Sequence, residues 1–288
     1  MSVYLSKSKS HGRLVGAGVF LFALFFAASV QSAPRLSVFH NHISRMAEQR
    51  KIPLDEAVRK VRALGVTGVE VMNTEDKASV ETVVAAGLEV SRYVVFTDFA
   101  KSDSTNEVAE AFAFVARHHV PGIMLVPGYF HTNEMSKAEA WAAMKPRISK
   151  FVDAAAKKGI SVELEDFDWF EAVLGSRADL RMAFEAEPKL GHVLDTGNYA
   201  YWGDDVLAAM REFRPLIRHV HVKDRDRADP RKSVAAGTGT MPIAEIVTSL
   251  NRSGYDGWYV IECFGSDDFL RDITRSAEFI RGVFDKIR

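Results

Sequence analysis

The sequence predicts an α/β chain folded as a single (β/α)8 barrel behind an N-terminal leader. Three observations carry that expectation. Strand and helix signals alternate eight times along 288 residues, with no linker, repeat or low-complexity tract between them. Strands separated by helical crossovers must run parallel, and eight such units close into a barrel of about this size. An open doubly wound sheet is the competitor, but no Gly-x-Gly-x-x-Gly follows the first strand.

The leader stands apart from the fold. Lys7, Lys9 and Arg13 precede an uncharged run from Leu14 to Val30, and small residues follow at Ser32 and Ala33. A basic start, an apolar middle and a small-residue exit read as a secretory signal peptide over residues 1–33, with the barrel in 34–288. The apolar run is also just long enough for an uncleaved membrane anchor. The expected location is therefore exported, periplasmic or secreted, or else membrane-anchored. Beyond the leader no membrane contact is expected. A net charge of −1 gives no electrostatic case for nucleic acid as a partner. Cys263 is the single cysteine, so no intramolecular disulfide forms, and it reads as a small buried residue. A homo-oligomer is left open.

Leu36 to His40 reads as the first strand, and Pro53 to Leu64 as an amphipathic helix with Leu54, Val58, Val61 and Leu64 on one face. Gly65 stops it, and Val66 to Met72 is strand two. Ser79 to Ala86 is a short helix, Val90 to Phe96 strand three, Glu107 to Arg117 a helix and Pro121 to Val126 strand four. Ser136 to Lys158 is a long helix in which Pro146 predicts a kink or break. Strand five is Ser161 to Glu165, followed by a helix at Arg177 to Glu185 and strand six at His192 to Asp195. Asp204 to Glu212 is the next helix, Ile217 to Asp224 strand seven, Ile243 to Ser253 a helix, Trp258 to Glu262 strand eight, and Phe269 to Ile287 closes the chain.

Strand seven organises the chemistry. Side chains alternate along a strand, so His219, His221 and Lys223 share one face while Val220 and Val222 take the other. Strands five, six and eight also end in acids, at Glu165, Asp195 and Glu262. Active sites of such barrels sit at the C-terminal ends of the strands, about 5 Å apart, so these side chains can converge on one ion. Three carboxylates and an imidazole form a hard donor set that suits Mn²⁺, Mg²⁺ or Co²⁺ and remains compatible with Zn²⁺.

Five stretches carry a resemblance. They are Val66-Thr67-Gly68-Val69-Glu70, Val162-Glu163-Leu164-Glu165, Leu194-Asp195-Thr196-Gly197-Asn198, His219-Val220-His221-Val222-Lys223-Asp224 and Gly254 through Glu262. Together the chain after the leader resembles the xylose-isomerase-like barrel superfamily, which includes sugar isomerases and epimerases, inosose and dehydroshikimate dehydratases, and endonuclease IV. The resemblance implies one divalent metal held by Glu165, Asp195, His221 and Glu262. It also implies that Glu165 and Glu262 act as acid and base on opposite faces of the substrate carbon. Two departures matter. A histidine common three residues after the strand-six acid is Asn198 here, which can hydrogen-bond a hydroxyl but cannot shuttle a proton. His40 and His42 at the end of strand one, with His131 after strand four, do not complete the histidine set that a three-zinc nuclease needs.

Several residues carry two readings. His219 is a core histidine with a hydrogen-bonded partner or a ligand, and buried Glu163 needs a partner such as His219 or Arg218. Lys223 reaches a substrate oxygen and balances the acidic site, or pairs with Asp224. His40 and Glu70 line the mouth as substrate contacts or make structural hydrogen bonds. Trp202, with Tyr199 and Tyr201, walls the pocket or packs beneath the loop. The loop Gly237-Thr238-Gly239-Thr240 closes over the substrate or is a plain turn.

The expected function is a metal-dependent sugar isomerase or epimerase, abstracting a proton next to the carbonyl of a keto sugar or polyol-derived substrate. The alternative is a lyase or dehydratase using the same enediolate. A non-catalytic sugar-binding barrel is the third reading. In each, the partner is a small carbohydrate.

Overall fold

The computed structural model describes residues 33–287. The expected leader lies, apart from its last residue, outside the described residues. Eight parallel strands close into a cylinder: β1 (Arg35–Phe39), β2 (Val66–Met72), β3 (Glu89–Phe96), β4 (Gly122–Val126), β5 (Ser161–Glu165), β6 (Gly191–Asp195), β7 (Ile217–Arg225) and β9 (Trp258–Glu262). Closure comes from β9, which pairs with β7 on one side and β1 on the other. The short β8 (Ser233–Val234) lies antiparallel to the end of β7.

Nine α-helices surround the cylinder among the described residues: α1 (His40–Arg50), α2 (Leu54–Ala63), α3 (Lys77–Ala85), α4 (Thr105–His118), α5 (Lys137–Ala156), α6 (Arg177–Ala186), α7 (Val206–Phe213), α8 (Ile243–Arg252) and α9 (Phe269–Ile287). Their starts follow from local chemistry. Ser136 with Glu139, and Ser176 with Asp179, form reciprocal capping boxes on α5 and α6. The Asp76 and Asp205 carboxylates accept backbone N–H groups at the starts of α3 and α7. Gly65, at φ +78°, supplies the left-handed turn between α2 and β2.

Three expectations need correction. His40 and His42 do not end a strand: the chain turns at Phe39, and His40–Arg50 is a helix burying Ile43, Met46 and Ala47 on one face. That face is short and polar residues outnumber it, so its period is faint in the sequence. Of the kink or break expected at Pro146, the break does not occur, and α5 is helical throughout. Its buried face of Ala140, Met144, Ile148, Phe151, Val152 and Ala155 offsets the lost backbone hydrogen bond. Glu163 pairs with neither the His219 nor the Arg218 side chain, because Arg92 of β3 and Ser161 take it at 3.2 and 2.6 Å.

One apolar layer fills the space between helices and strands, and a smaller one lies inside the cylinder. Trp258 fills part of the inner layer. A Cβ on Gly68 would come within 2.7 Å of its ring, so β2 needs glycine there. Cys263 is buried, and burial pushes its thiol well above the ordinary range.

Candidate active site

At the C-terminal end of the cylinder, donor atoms of Glu165, Asp195, His221 and Glu262 all lie within 4.8 Å of one another, and all four residues are buried. Each is placed by its strand. Parallel register sets Asp195 of β6 beside His221 of β7, and Lys223 of β7 beside Glu262 of β9. The turn after β6 then fixes Asp195. The Gly197 and Asn198 N–H groups donate to its Oδ1 at 2.6 and 2.7 Å, leaving Oδ2 without a hydrogen-bond partner.

His221 is held from below. Its Nε2 bonds Glu70 Oε1 at 2.8 Å, while the other Glu70 oxygen bonds His219 Nε2 at 2.6 Å. An imidazole that gives its Nε2 proton to a carboxylate presents a bare Nδ1 lone pair, the arrangement that supports a metal-binding histidine. His221 Nδ1 lies 2.5 Å from Glu165 Oε1 and 3.3 Å from Glu262 Oε2, without hydrogen-bond alignment to either.

Charge at the site is unbalanced. Lys223 Nζ lies 2.5 Å from Glu262 Oε1, 2.7 Å from Asn198 Oδ1 and 3.6 Å from Asp195 Oδ2. Burial works to raise the Glu262 carboxyl, but Lys223 and His221 outweigh it and hold the group well below its ordinary range. Asp195 goes the other way. Burial pushes it up to about 8, with Lys223 opposing and Glu262 and Glu165 adding. Three buried carboxylates beside one ammonium cannot all ionise cheaply without a further cation, which is why Asp195 is pushed up. Glu165 Oε1, Asp195 Oδ2 and His221 Nδ1 are buried and lack hydrogen-bond partners. A divalent ion fits that set: it would satisfy the orphaned atoms and offset the charge.

Above the quartet lies a cavity of about 390 Å³. Its β5–β9 side carries Glu165, Asn198, His221, Lys223, Arg225 and Glu262. Its β1–β4 side carries Phe39, Met72, Val94, Phe96 and Met124.

A family model described as the xylose isomerase-like TIM barrel matches residues 58–283. The chain belongs to this family. It is 24% identical over 248 residues to an inosose dehydratase of Geobacillus thermodenitrificans, which covers 74% of this chain and 82% of that protein. It is 28% identical over 154 residues to a ketose 3-epimerase of Arthrobacter globiformis, 52% of this chain but only 51% of that protein. Among solved structures, an L-ribulose 3-epimerase matches with a TM-score of 0.70 at 17% identity, covering 88% of this chain and 96% of that one. A 3-keto-D-glucoside 4-epimerase from E. coli matches at 0.68 and 18%, covering 86% and 99%. At such identities these two show the fold alone.

The remaining expected residues of this family member divide between the cavity and its surroundings. Asn198 and Lys223 line the cavity. Asn198 uses three of its four hydrogen-bonding positions: Oδ1 accepts from Lys223 and Arg225, and Nδ2 donates one hydrogen to the Asp166 carbonyl at 2.7 Å. Lys223 does not pair with Asp224, whose carboxylate instead accepts backbone N–H groups of Gly237, Gly239 and Met241 and so pins the glycine loop. Glu70 lies under the site, on the two histidines, and not in the cavity wall. His40 lies outside the cavity wall too, bonded to Glu75 at 3.0 Å and Ser79 at 3.1 Å. Trp202 packs beneath the loop after β5, donating to the Phe167 carbonyl at 2.9 Å, and its ring fills the space a Cβ on Gly175 would need. Tyr199 is buried against His192 at 3.1 Å.

Three residues went unnoticed in the sequence. Arg225 continues the alternation 219, 221, 223 by one more step, and bonds Asp168 at 2.5 Å and Asn198 at 3.0 Å. That periodicity was a usable signal. Asp166 follows Glu165 directly and is buried with one oxygen unpartnered. Burial, then Asp195 and Glu165, raise its carboxyl well above the ordinary range. Asp168 has no period or spacing to mark it.

Proposed function

We propose that this chain is an exported, divalent-metal-dependent enzyme that isomerises or epimerises a keto sugar or polyol-derived substrate by moving a proton next to a carbonyl. The observation that carries the reading is the quartet with three buried donor atoms left unpaired. Glu165, Asp195, His221 and Glu262 would hold the ion. When bound, it supplies Lewis acidity that draws charge from a substrate carbonyl and makes the neighbouring C–H more acidic.

The chain's own groups do the rest. Glu262, kept ionised by Lys223, is the base that takes the proton, and Glu165, which Lys223 does not bond, returns one from the other side. Lys223 and Asn198 orient substrate oxygens from the β7 and β6 ends. Glu70 holds the His221 tautomer through Nε2. The phenyl and methionine side chains opposite exclude water, which strengthens every charge interaction inside.

Elimination is the second reading, favoured by the similarity to an inosose dehydratase along most of that protein's length. Both readings use the same proton abstraction. The test is metal analysis of the purified protein, followed by incubation of the loaded enzyme with a panel of keto sugars in D₂O. Deuterium uptake with an otherwise unchanged formula supports isomerisation or epimerisation, and loss of water or an aglycone supports elimination. Metal-loaded protein that does neither across the panel sinks the proposal.

A further inference from the structure

The apolar side of the cavity is more than a lid on a charged site. Phe39, Met72, Val94, Phe96 and Met124 face the quartet across the opening. Phe167 packs edge-on to Phe96, with ring centres 6.5 Å apart, and Phe264 tilts against Phe39 at 5.3 Å. These two rings close the ends where the apolar side meets the charged one. No side chain in this wall offers a hydrogen-bond partner stronger than a thioether. A small sugar with hydroxyls on every carbon would leave those on this side without partners, and unmade hydrogen bonds of that kind weaken binding. The volume of about 390 Å³ falls in the range of pockets that enclose drug-sized ligands.

A second observation points the same way. Among the described residues, the exposed large hydrophobic side chains are Trp169, Phe170, Tyr201 and Phe264. They sit on the loops after β5, β6 and β9, all at the mouth end of the cylinder. Apolar groups gathered at one end mark a surface that meets an apolar ligand. The wall is continuous with the quartet, so what covers it belongs to the molecule whose oxygens reach the charged side.

We propose that the substrate is a keto sugar carrying an aryl substituent. Its oxygens face Lys223, Asn198 and the carboxylates, and its flat ring lies among Phe39, Phe96, Phe167 and Phe264, where edge-to-face and offset contacts are available. This assignment rests on the keto-sugar reading above and narrows it to a class of substrate.

The experiment is a direct titration of the metal-loaded protein with matched pairs of keto sugars bearing phenyl or methyl substituents, in both anomers, and with cyclohexyl partners. Burial of the ring predicts that the phenyl member binds at least about tenfold more tightly than the methyl one. The ratio falls toward one in Phe264→Ala, a rim position whose loss opens no core cavity, and in Phe96→Ala. Equal affinities, or no phenyl binding up to millimolar concentration, overturn the proposal, and a cyclohexyl partner that matches phenyl overturns the aryl assignment. Deuterium uptake separates the two claims. Uptake from unsubstituted keto sugars without a phenyl preference removes this inference and leaves the proton-abstraction reading in place. A phenyl preference with no uptake by any member removes that reading instead.

Discussion

The two halves of the barrel mouth are built on one plan and carry opposite chemistry. On both, inward side chains near the strand ends face the axis, and a loop turns back to a helix. The β1–β4 half presents Phe39, Met72, Phe96 and Met124, and the β5–β9 half Glu165, Asp195, His221 and Glu262. One level deeper the division reverses. Glu70 of β2 reaches across to His219 and His221, and Arg92 of β3 reaches across to Glu163. The apolar half thus supplies partners for buried charge below the site while keeping charge out of its own wall. The difference teaches where specificity and catalysis can be separated. A buried carboxylate cluster tolerates no missing partner, whereas an apolar wall needs little beyond volume.

Removing a charge from the β5–β9 half gives the largest effect. Glu262→Gln or Glu165→Gln is expected to cost about 10²–10⁴ in kcat for deuterium exchange, read on protein whose metal content has been measured. A fall of less than tenfold would mean that neither carboxylate moves the proton.

The next effect compares the two faces of the same half. His221 faces the axis. His192 of β6 faces outward, buried between Phe184, Phe213 and Tyr199. Burial lowers its pKa to about 4. The unfolded chain protonates near pH 6.5, so it binds the proton first as pH falls. Stability from the neutral ring is complete above pH 6.5 and is lost progressively down to pH 4, to the extent of about 3 kcal/mol. His192→Asn should flatten that part of the denaturant-midpoint profile. An unchanged slope between pH 6.5 and 4 would show that His192 titrates normally in the folded protein.

Glu70 tests whether the apolar half serves the charged one. Glu70→Gln keeps the size but loses the carboxylate beneath both histidines, and metal affinity is expected to fall about 10–100-fold by competition with a chelator. If affinity holds, His221 is oriented by its neighbours alone.

Strand periodicity made this division partly legible in the sequence. Short β-branched runs ending in acids pointed to Glu165, Asp195 and Glu262, because a strand end is local and its alternation is strict. Glu70 was visible as a strand-end acid, but its role was not, since its partners lie 149 and 151 positions away. Contacts of that range leave no trace in local pattern. His40 was misplaced because helix α1 begins directly at the strand end with no capping side chain to announce it. Trp202 follows the quartet's Asp195 closely in sequence, yet a loop of that length can aim a ring into the pocket or beneath it. The glycine at 175 that makes room for it is uninformative until the two are seen together.

The smallest expected effect lies in the apolar wall. Met124 is buried in β4 with Phe39 and Val94 in the inner cluster. Met124→Leu conserves volume and polarity, so the cost to stability should stay below about 1.5 kcal/mol, and metal content should match the unmodified chain. Both are read from the same preparation, by chemical denaturation and elemental analysis. The value of so mild a change lies in what it leaves alone. If Met124→Leu lowers metal affinity as much as Glu70→Gln does, packing in the wall sets the quartet's geometry, and the two halves of the mouth act as one unit. If only Glu70→Gln does, the wall can be reshaped for a different substituent without disturbing the ion.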